Sequence, residues 1–271
     1  CIFVRYNAKH SMIRKSFVSV IFCFSLLHGF SQTYKYSNEF LAIGTGAREL
    51  SMGGAVTSTC KGVFSTYWNP ASLLKIKSDA QVGVMHNENF GGISKYDYLG
   101  FATIKKETSA LGFSLIRNGV DGIPNTLNMI DENGDVRYDK ITTFSVSDYA
   151  FFISAAQQLN DDGLSFGANI KIIRRLVGEF ANSWGFGLDA ALQYESYNWI
   201  LSAMLHDATT TYNTWKFNTE SFKEIFLATG NAIPENSTEI TLPRLSLGIS
   251  KLFNIGKSHS LLMEIVGYCN L

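Results

Sequence analysis

The chain has 271 residues, with 23 Lys+Arg against 23 Asp+Glu, four Cys and four Pro. Charged residues are 17% of the total, below the ~25% of an ordinary soluble domain, while 46% are hydrophobic and mean hydropathy is +0.04. Zero net charge leaves no basic footprint for nucleic acid, and 13% aromatics with so little charge exclude disorder.

Beyond the first thirty residues no apolar run approaches the ~20 residues of a spanning helix. An apolar, aromatic chain with 23 glycines and no spanning helix has the composition of an outer-membrane β-barrel. Residues 1–11 read as upstream over-read, because Met12 has the context of a start. Residues 12–31 read as a secretory signal. Arg14 and Lys15 are the charged region, Phe17 to Leu27 the apolar region, and Gly29 and Ser31 the small residues before cleavage. Cleavage after Ser31 leaves 271 − 31 = 240 residues and removes Arg5, Lys9, Arg14 and Lys15, so the processed charge is 0 − 4 = −4. Cys60 and Cys269 remain. Two cysteines so far apart make no disulfide framework, and both are expected as buried free thiols.

Residues 32–78 are dense in small residues and do not alternate. Gly44-Thr45-Gly46 is no dinucleotide fingerprint, since no βαβ unit surrounds it, and no Walker lysine follows. Gly44, Gly46, Gly53 and Gly54 permit tight turns and close backbone approach. Asn69 is restricted by Pro70, which Ala71 follows. Arg48 needs a carboxylate partner, and Asp189 is the candidate. This stretch reads as a plug placed before the strands. The reading in which all of these residues only pack, with no ligand role, stays open.

From 79 to 271 the chain falls into short segments of period two. In 184–194, Trp184, Phe186, Leu188, Ala190, Leu192 and Tyr194 share one face, and Gly185, Gly187, Asp189, Ala191 and Gln193 the other. Segments 164–174 and 245–253 repeat the pattern. A soluble β-sandwich also alternates, but the small second face and the export signal favour a barrel. Nine strands are expected, near 80–89, 96–105, 109–117, 147–158, 163–174, 183–194, 197–207, 243–254 and 258–267. Tight turns alternate with longer loops at 90–95, 118–146, 175–182 and 208–242, as in an up-and-down barrel. Within the last loop, 219–229 reads as a short amphipathic helix with Phe222, Ile225 and Phe226 on one side. Nine is odd, and an open sheet has unpaired edges in lipid. The expectation is therefore a truncated product that lacks its last strands.

Chemistry is sparse. Asp131, Asn133 and Asp135 have the spacing of a calcium loop, but position 142 is Thr where the loop needs Glu, so a surface turn is expected. His86, His206 and His259 lack metal spacing. No G-x-S-x-G is present. No catalytic residue, metal or cofactor is expected, and the chain reads as a non-enzyme.

Three runs carry a family resemblance: Ile43-Gly44-Thr45-Gly46-Ala47-Arg48, then Met52-Gly53-Gly54-Ala55, then Tyr67-Trp68-Asn69-Pro70-Ala71. With Asn118 to Thr126 and Asp148-Tyr149-Ala150, they resemble the FadL-like outer-membrane barrels, and within them the PorV/PorQ group of Bacteroidota type IX secretion. The resemblance spans roughly 37–265. It implies an antiparallel transmembrane β-barrel of about fourteen strands, even-numbered, with residues 38–73 as an N-terminal hatch. It further implies outer-membrane residence, contact with outer-membrane lipid, and partners among type IX secretion components and secreted cargo. The alternative is a passive transporter of hydrophobic small molecules.

Overall fold

Side chains that alternate with period two can bury only one face of a strand, and the chain answers with antiparallel hairpins. The structure is a computed structural model that describes residues 37–131, 133–160, 163–255 and 259–271. The upstream segment, the signal and residues 32–36 of the plug lie outside the described residues.

Among the described residues, eleven strands form one sheet. They are β1 (Ala80–Asn89), β2 (Ser94–Lys106), β3 (Ser109–Asn125), β4 (Thr142–Gln158), β5 (Leu164–Val177) and β6 (Ala181–Ser196). After them come β7 (Trp199–His206), β8 (Thr211–Phe217), β9 (Ser237–Thr241), β10 (Arg244–Ile255) and β11 (His259–Asn270). Neighbours pair antiparallel in the order β1 to β7, then β10 and β11. Thus the fold is all-β and antiparallel, as expected. Among the described residues the sheet is not closed, since β1 and β11 do not pair with each other.

The count of nine needs correcting. Strand β6 is shared, with Ala190–Ser196 paired to β7 and Ala181–Phe186 to β8. Strands β7 and β8 are one line of chain broken at 207–210, where Asp207 and Thr210 take φ of 54 and 62. Strands β9 and β10 are a second line broken at Leu242 and Pro243, and proline has no N–H for the ladder. Nine lines therefore exist, two of them interrupted, and the expected loop 208–242 holds two strands. The expected loops 90–95 and 175–182 are also shorter than read. Gly91, Gly92 and Gly178 adopt positive φ and close tight turns at Phe90–Ile93 and 178–180.

The two faces are inverted relative to a soluble sheet. Along β6, Trp184, Phe186, Leu192 and Tyr194 are exposed, while Ser183, Gly185, Gly187, Asp189, Ala191 and Gln193 are buried. Strand β10 does the same, with Leu247 and Ile249 exposed and Ser246, Gly248 and Ser250 buried.

The polar face is covered by residues 37–76, a chain of short helical turns: Glu39–Ala42, α1 (Ala47–Ser51), Gly62–Phe64, α2 (Ser65–Trp68) and Pro70–Lys75. Val63 lies against Gly83 of β1, and Ser58 is bonded to Glu264 of β11. Nine flat lines would be about 38 Å wide at ~4.8 Å spacing. Ser58 and Val63 are five residues apart and span at most ~18 Å, so they reach both edges only because the sheet curls around them. The apolar core fills the contact. Phe40 and Tyr67 pack with Tyr96, Tyr98, Ile116, Phe152 and Ile173, and Val63, Leu73 and Ile76 pack with Ala102, Ala110 and Ala156. Full burial of a side chain such as Leu73 stabilises by about 1.5–3 kcal/mol.

Gly167 marks the closest approach. A Cβ there would lie 2.1 Å from the Ala71 nitrogen and 2.5 Å from the Pro70 carbonyl carbon, both backbone atoms that cannot step aside. Gly167→Val should therefore destabilise docking of 70–75 by about 1–3 kcal/mol. Gly267→Val, which meets nothing within 4 Å, should not. Limited proteolysis within 37–76 reads the difference.

Candidate functional site

The candidate site is the contact between residues 37–76 and the inner face. Asn69 is its local pivot. Its Oδ1 accepts from the Ala71 nitrogen at 3.0 Å and so caps the turn that Pro70 opens. Its Nδ2 donates to the Thr57 carbonyl at 2.7 Å and faces Gln193 Oε1 at 3.4 Å. Gln193 also accepts from the Ser72 hydroxyl and donates to the Ser58 carbonyl at 3.3 Å. From the far side, Glu264 accepts from the Ser58 nitrogen and hydroxyl, both at 2.7 Å, and from the Thr59 hydroxyl. Charge-assisted bonds to a carboxylate are the stronger kind. Above them, Asn169 donates to the Thr66 carbonyl at 2.9 Å, and Thr66 Oγ1 contacts the Tyr98 hydroxyl at 2.9 Å.

The proposed pair of Arg48 and Asp189 does not form. The Arg48 side chain is 46% exposed and reaches only Glu49, at 3.4 Å. Asp189 is buried and held by Lys171 at 2.8 Å, with Asn169 donating at 3.1 Å and the Asp207 backbone nitrogen at 2.8 Å. Lys171 also meets Asp207 at 2.5 Å. The reason is register: Lys171 and Asp189 both point inward on the paired strands β5 and β6, whereas α1 turns Arg48 away from the sheet. Asp189 lies on the buried face, with Lys171 rather than Arg48 as its partner.

The glycines divide. Gly44 and Gly54 have φ of 90 and 76 and would press a Cβ onto Trp68, at 2.9 and 3.1 Å. Gly46 (φ 89) would strike the Glu49 carboxylate. Gly53 needs only its positive φ, since the space beside it is open. Ala71 is buried with Ala191 and Met204.

A cleft of about 540 Å³ lies beside these contacts. Ile43, Leu50, Gly54 and Trp68 form one wall, and inward residues of β7, β10 and β11 the other. His206, Arg244 and Asn270 share one rung of the sheet, and Met204, Ser246 and Tyr268 the next. Sequence reading missed Arg244, although its place directly after Pro243 starts a strand with Ser246 and Gly248 on the same face.

At the broken end of β6, Ser37 and Asn38 bind the β8–β9 hairpin. Asn213 donates to Ser37 at 2.9 Å, Ser37 to Glu239 at 3.1 Å, and Asn38 to Thr241 at 2.9 Å. The expected amphipathic helix is α3 (Lys223–Ala228), and Phe222 before it packs on Phe180 and Phe226. In the 131–135 turn, Asp131 Oδ1 accepts from the Asn133 and Asp135 nitrogens at 2.9 and 3.0 Å, which makes it a turn brace. Nearby, the Arg137 guanidinium holds the Asp139 carboxyl below the usual carboxylate range. No metal-type cluster occurs among the described residues.

No protein-family profile matches the chain, and no curated protein matches it. Among solved structures it is similar to the TodX deltaS2S3 mutant monoaromatic hydrocarbon channel. The identity is 16%, the TM-score 0.46, and the match covers 78% of this chain and 67% of that one. The antiparallel architecture stands on its own strand pairing.

Both thiols were expected to be buried. Cys60 is, but Cys269 is exposed, because it pairs with Leu245 on the outward face. Burial pushes the Cys60 thiol up to about 11, and the thiolate is the reactive form. In a chain of residues 32–271 carrying Cys269→Ser at pH 8, maleimide should leave Cys60 unlabelled until denaturant is added. Full labelling of the native protein would show that residues 37–76 leave the inner face.

Proposed function

We propose that the chain is an outer-membrane β-barrel protein of the PorV/PorQ type, which helps type IX secretion hold exported cargo at the cell surface through its outer loops. The observation that carries membrane residence is the apolar outward face. Phe101, Phe113, Phe151, Ile153, Ile170, Phe186, Leu201, Leu247 and Ile249 are all exposed and all on that side. In water this would be an aggregating surface; in lipid it is the ordinary face of a barrel.

The band is bounded at both ends. On one side the outward rung runs His86, Asp97, Arg117, Tyr149, Arg174 and Trp184. On the other stand Tyr194, Tyr197 and Trp199, with Lys251 over the Trp199 ring at 4.5 Å. Between Leu164 and Ile172, strand β5 covers about 26 Å at ~3.3 Å per residue, close to the 9–11 residues a spanning strand needs. The turns at 107–108 and 197–198 lie at the aromatic end, which the proposal places in the periplasm.

The cargo role rests on the sequence resemblance and on the arm that β3 and β4 raise beyond Arg117. Its tip exposes Ile130, Val136 and Tyr138. The 540 Å³ cleft favours a second reading, a passive transporter of hydrophobic small molecules.

Fractionation should place the processed chain with outer-membrane proteins; recovery from the soluble periplasm would sink the membrane reading. Leu188→Arg, mid-band on the outward face, should impair assembly by about 2–4 kcal/mol. Gln193→Arg, on the inward face, should free residues 58, 69 and 72 from the wall.

Two deletions separate the roles. Removing 126–141 should abolish retention of exported cargo without raising permeability. Removing 38–73 should leave a protein that inserts but raises single-channel conductance and antibiotic entry. Cargo retention unaffected by the first deletion rejects the PorV/PorQ reading.

A further inference from the structure

The cleft between residues 42–68 and the inward side chains of β7, β10 and β11 carries a chemistry that neither the cargo role nor hydrocarbon passage requires. We propose that it binds a small carboxylate carried on a flat apolar body, with the carboxylate on Arg244 and Ser246 and the body against Trp68 and Tyr268. The inference rests on reading the inner face as the interior of a barrel.

Four observations lead there. First, Arg244 points into the cleft, and its buried Nε has no partner. Second, the carboxylates nearby are engaged elsewhere: Asp189 and Asp207 with Lys171, Glu264 with Ser58 and Thr59, Glu49 with Arg48. None of them lines the cleft. Third, Ser246 sits one rung below Arg244, is fully buried, and its hydroxyl has no partner. Fourth, the aromatic polar atoms are already used. Tyr67 donates to the Leu41 carbonyl, Trp68 to Thr45 at 2.7 Å and Tyr268 to Gly54 at 3.2 Å. These residues therefore offer ring surface, and Ile43 and Leu50 add to it.

A planar guanidinium without a counter-charge, next to an unsatisfied hydroxyl, matches the fork of a carboxylate. A cleft of about 540 Å³ is in the size range of small-molecule sites. A neutral hydrocarbon would leave Arg244 Nε and the Ser246 hydroxyl buried without partners, so the site prefers the acid.

The test uses the processed full chain in nanodiscs, with equilibrium dialysis against empty discs. The probes are 2-naphthoate and its neutral counterpart 2-naphthalenemethanol. Wild-type protein should bind naphthoate saturably at one site and the alcohol ~10–100-fold more weakly. Arg244→Gln should weaken naphthoate by a similar factor and leave the alcohol unchanged, and Ser246→Ala should weaken naphthoate a few-fold. Equal binding of the two probes to wild type overturns the proposal, and that comparison needs no variant to fold. Absence of saturable naphthoate binding by protein that fractionates with the outer membrane also overturns it, while leaving the barrel reading intact.

Discussion

The structure depends on how a polar, small-residue inner face is satisfied. Strands pair their own backbones, but inward side chains such as Asn169, Gln193 and Glu264 need partners once they are covered. Residues 37–76 supply them with the backbone carbonyls of Ser58 and Thr66 and the Ser58 amide. Apolar contacts through Leu73, Val63 and Tyr67 give area, and the polar contacts fix where the segment sits. Gly167 lets the backbone come close enough for both, and Gly112 leaves room for the Thr66 and Leu73 side chains.

A second constraint sits where the two long lines of chain break. Asp207 and Thr210 take left-handed backbone, a conformation that costs most residues free energy. Lys171, 3% exposed, bridges Asp189 and Asp207 across the break. A buried ion pair gains little net stability, because desolvation offsets attraction, yet removal of one partner is severe. Its contribution here is to fix position: it sets where β8 leaves β7, and so where the β8–β9 hairpin and its helix stand. Arg244 opens the partner line at the same level, which places the cleft beside the break.

The strand segments and their face assignment were legible from period two alone. Trp184, Phe186, Leu192 and Tyr194 lie outward because a one-residue slip would reverse the whole set. Strands β8 and β9 were missed because their buried sides, Thr211 and Asn213 for example, are polar and mimic a loop. The turns at 90–93 and 178–180 were read too long, because glycine clusters mark turns without stating their length.

The amino-acid sequence by itself determined the all-β class, the outward and inward faces, and the small-residue character of residues 37–76. Each follows from local rules of period and composition. Only the tertiary structure decided that Lys171 rather than Arg48 pairs with Asp189, that Gln193 and Glu264 clamp the segment, and that Arg244, Ser246 and Tyr268 share a cleft. Those contacts join residues as far as 206 positions apart. They are fixed by strand register and by the curl of the sheet, and neither can be read from a local stretch of chain.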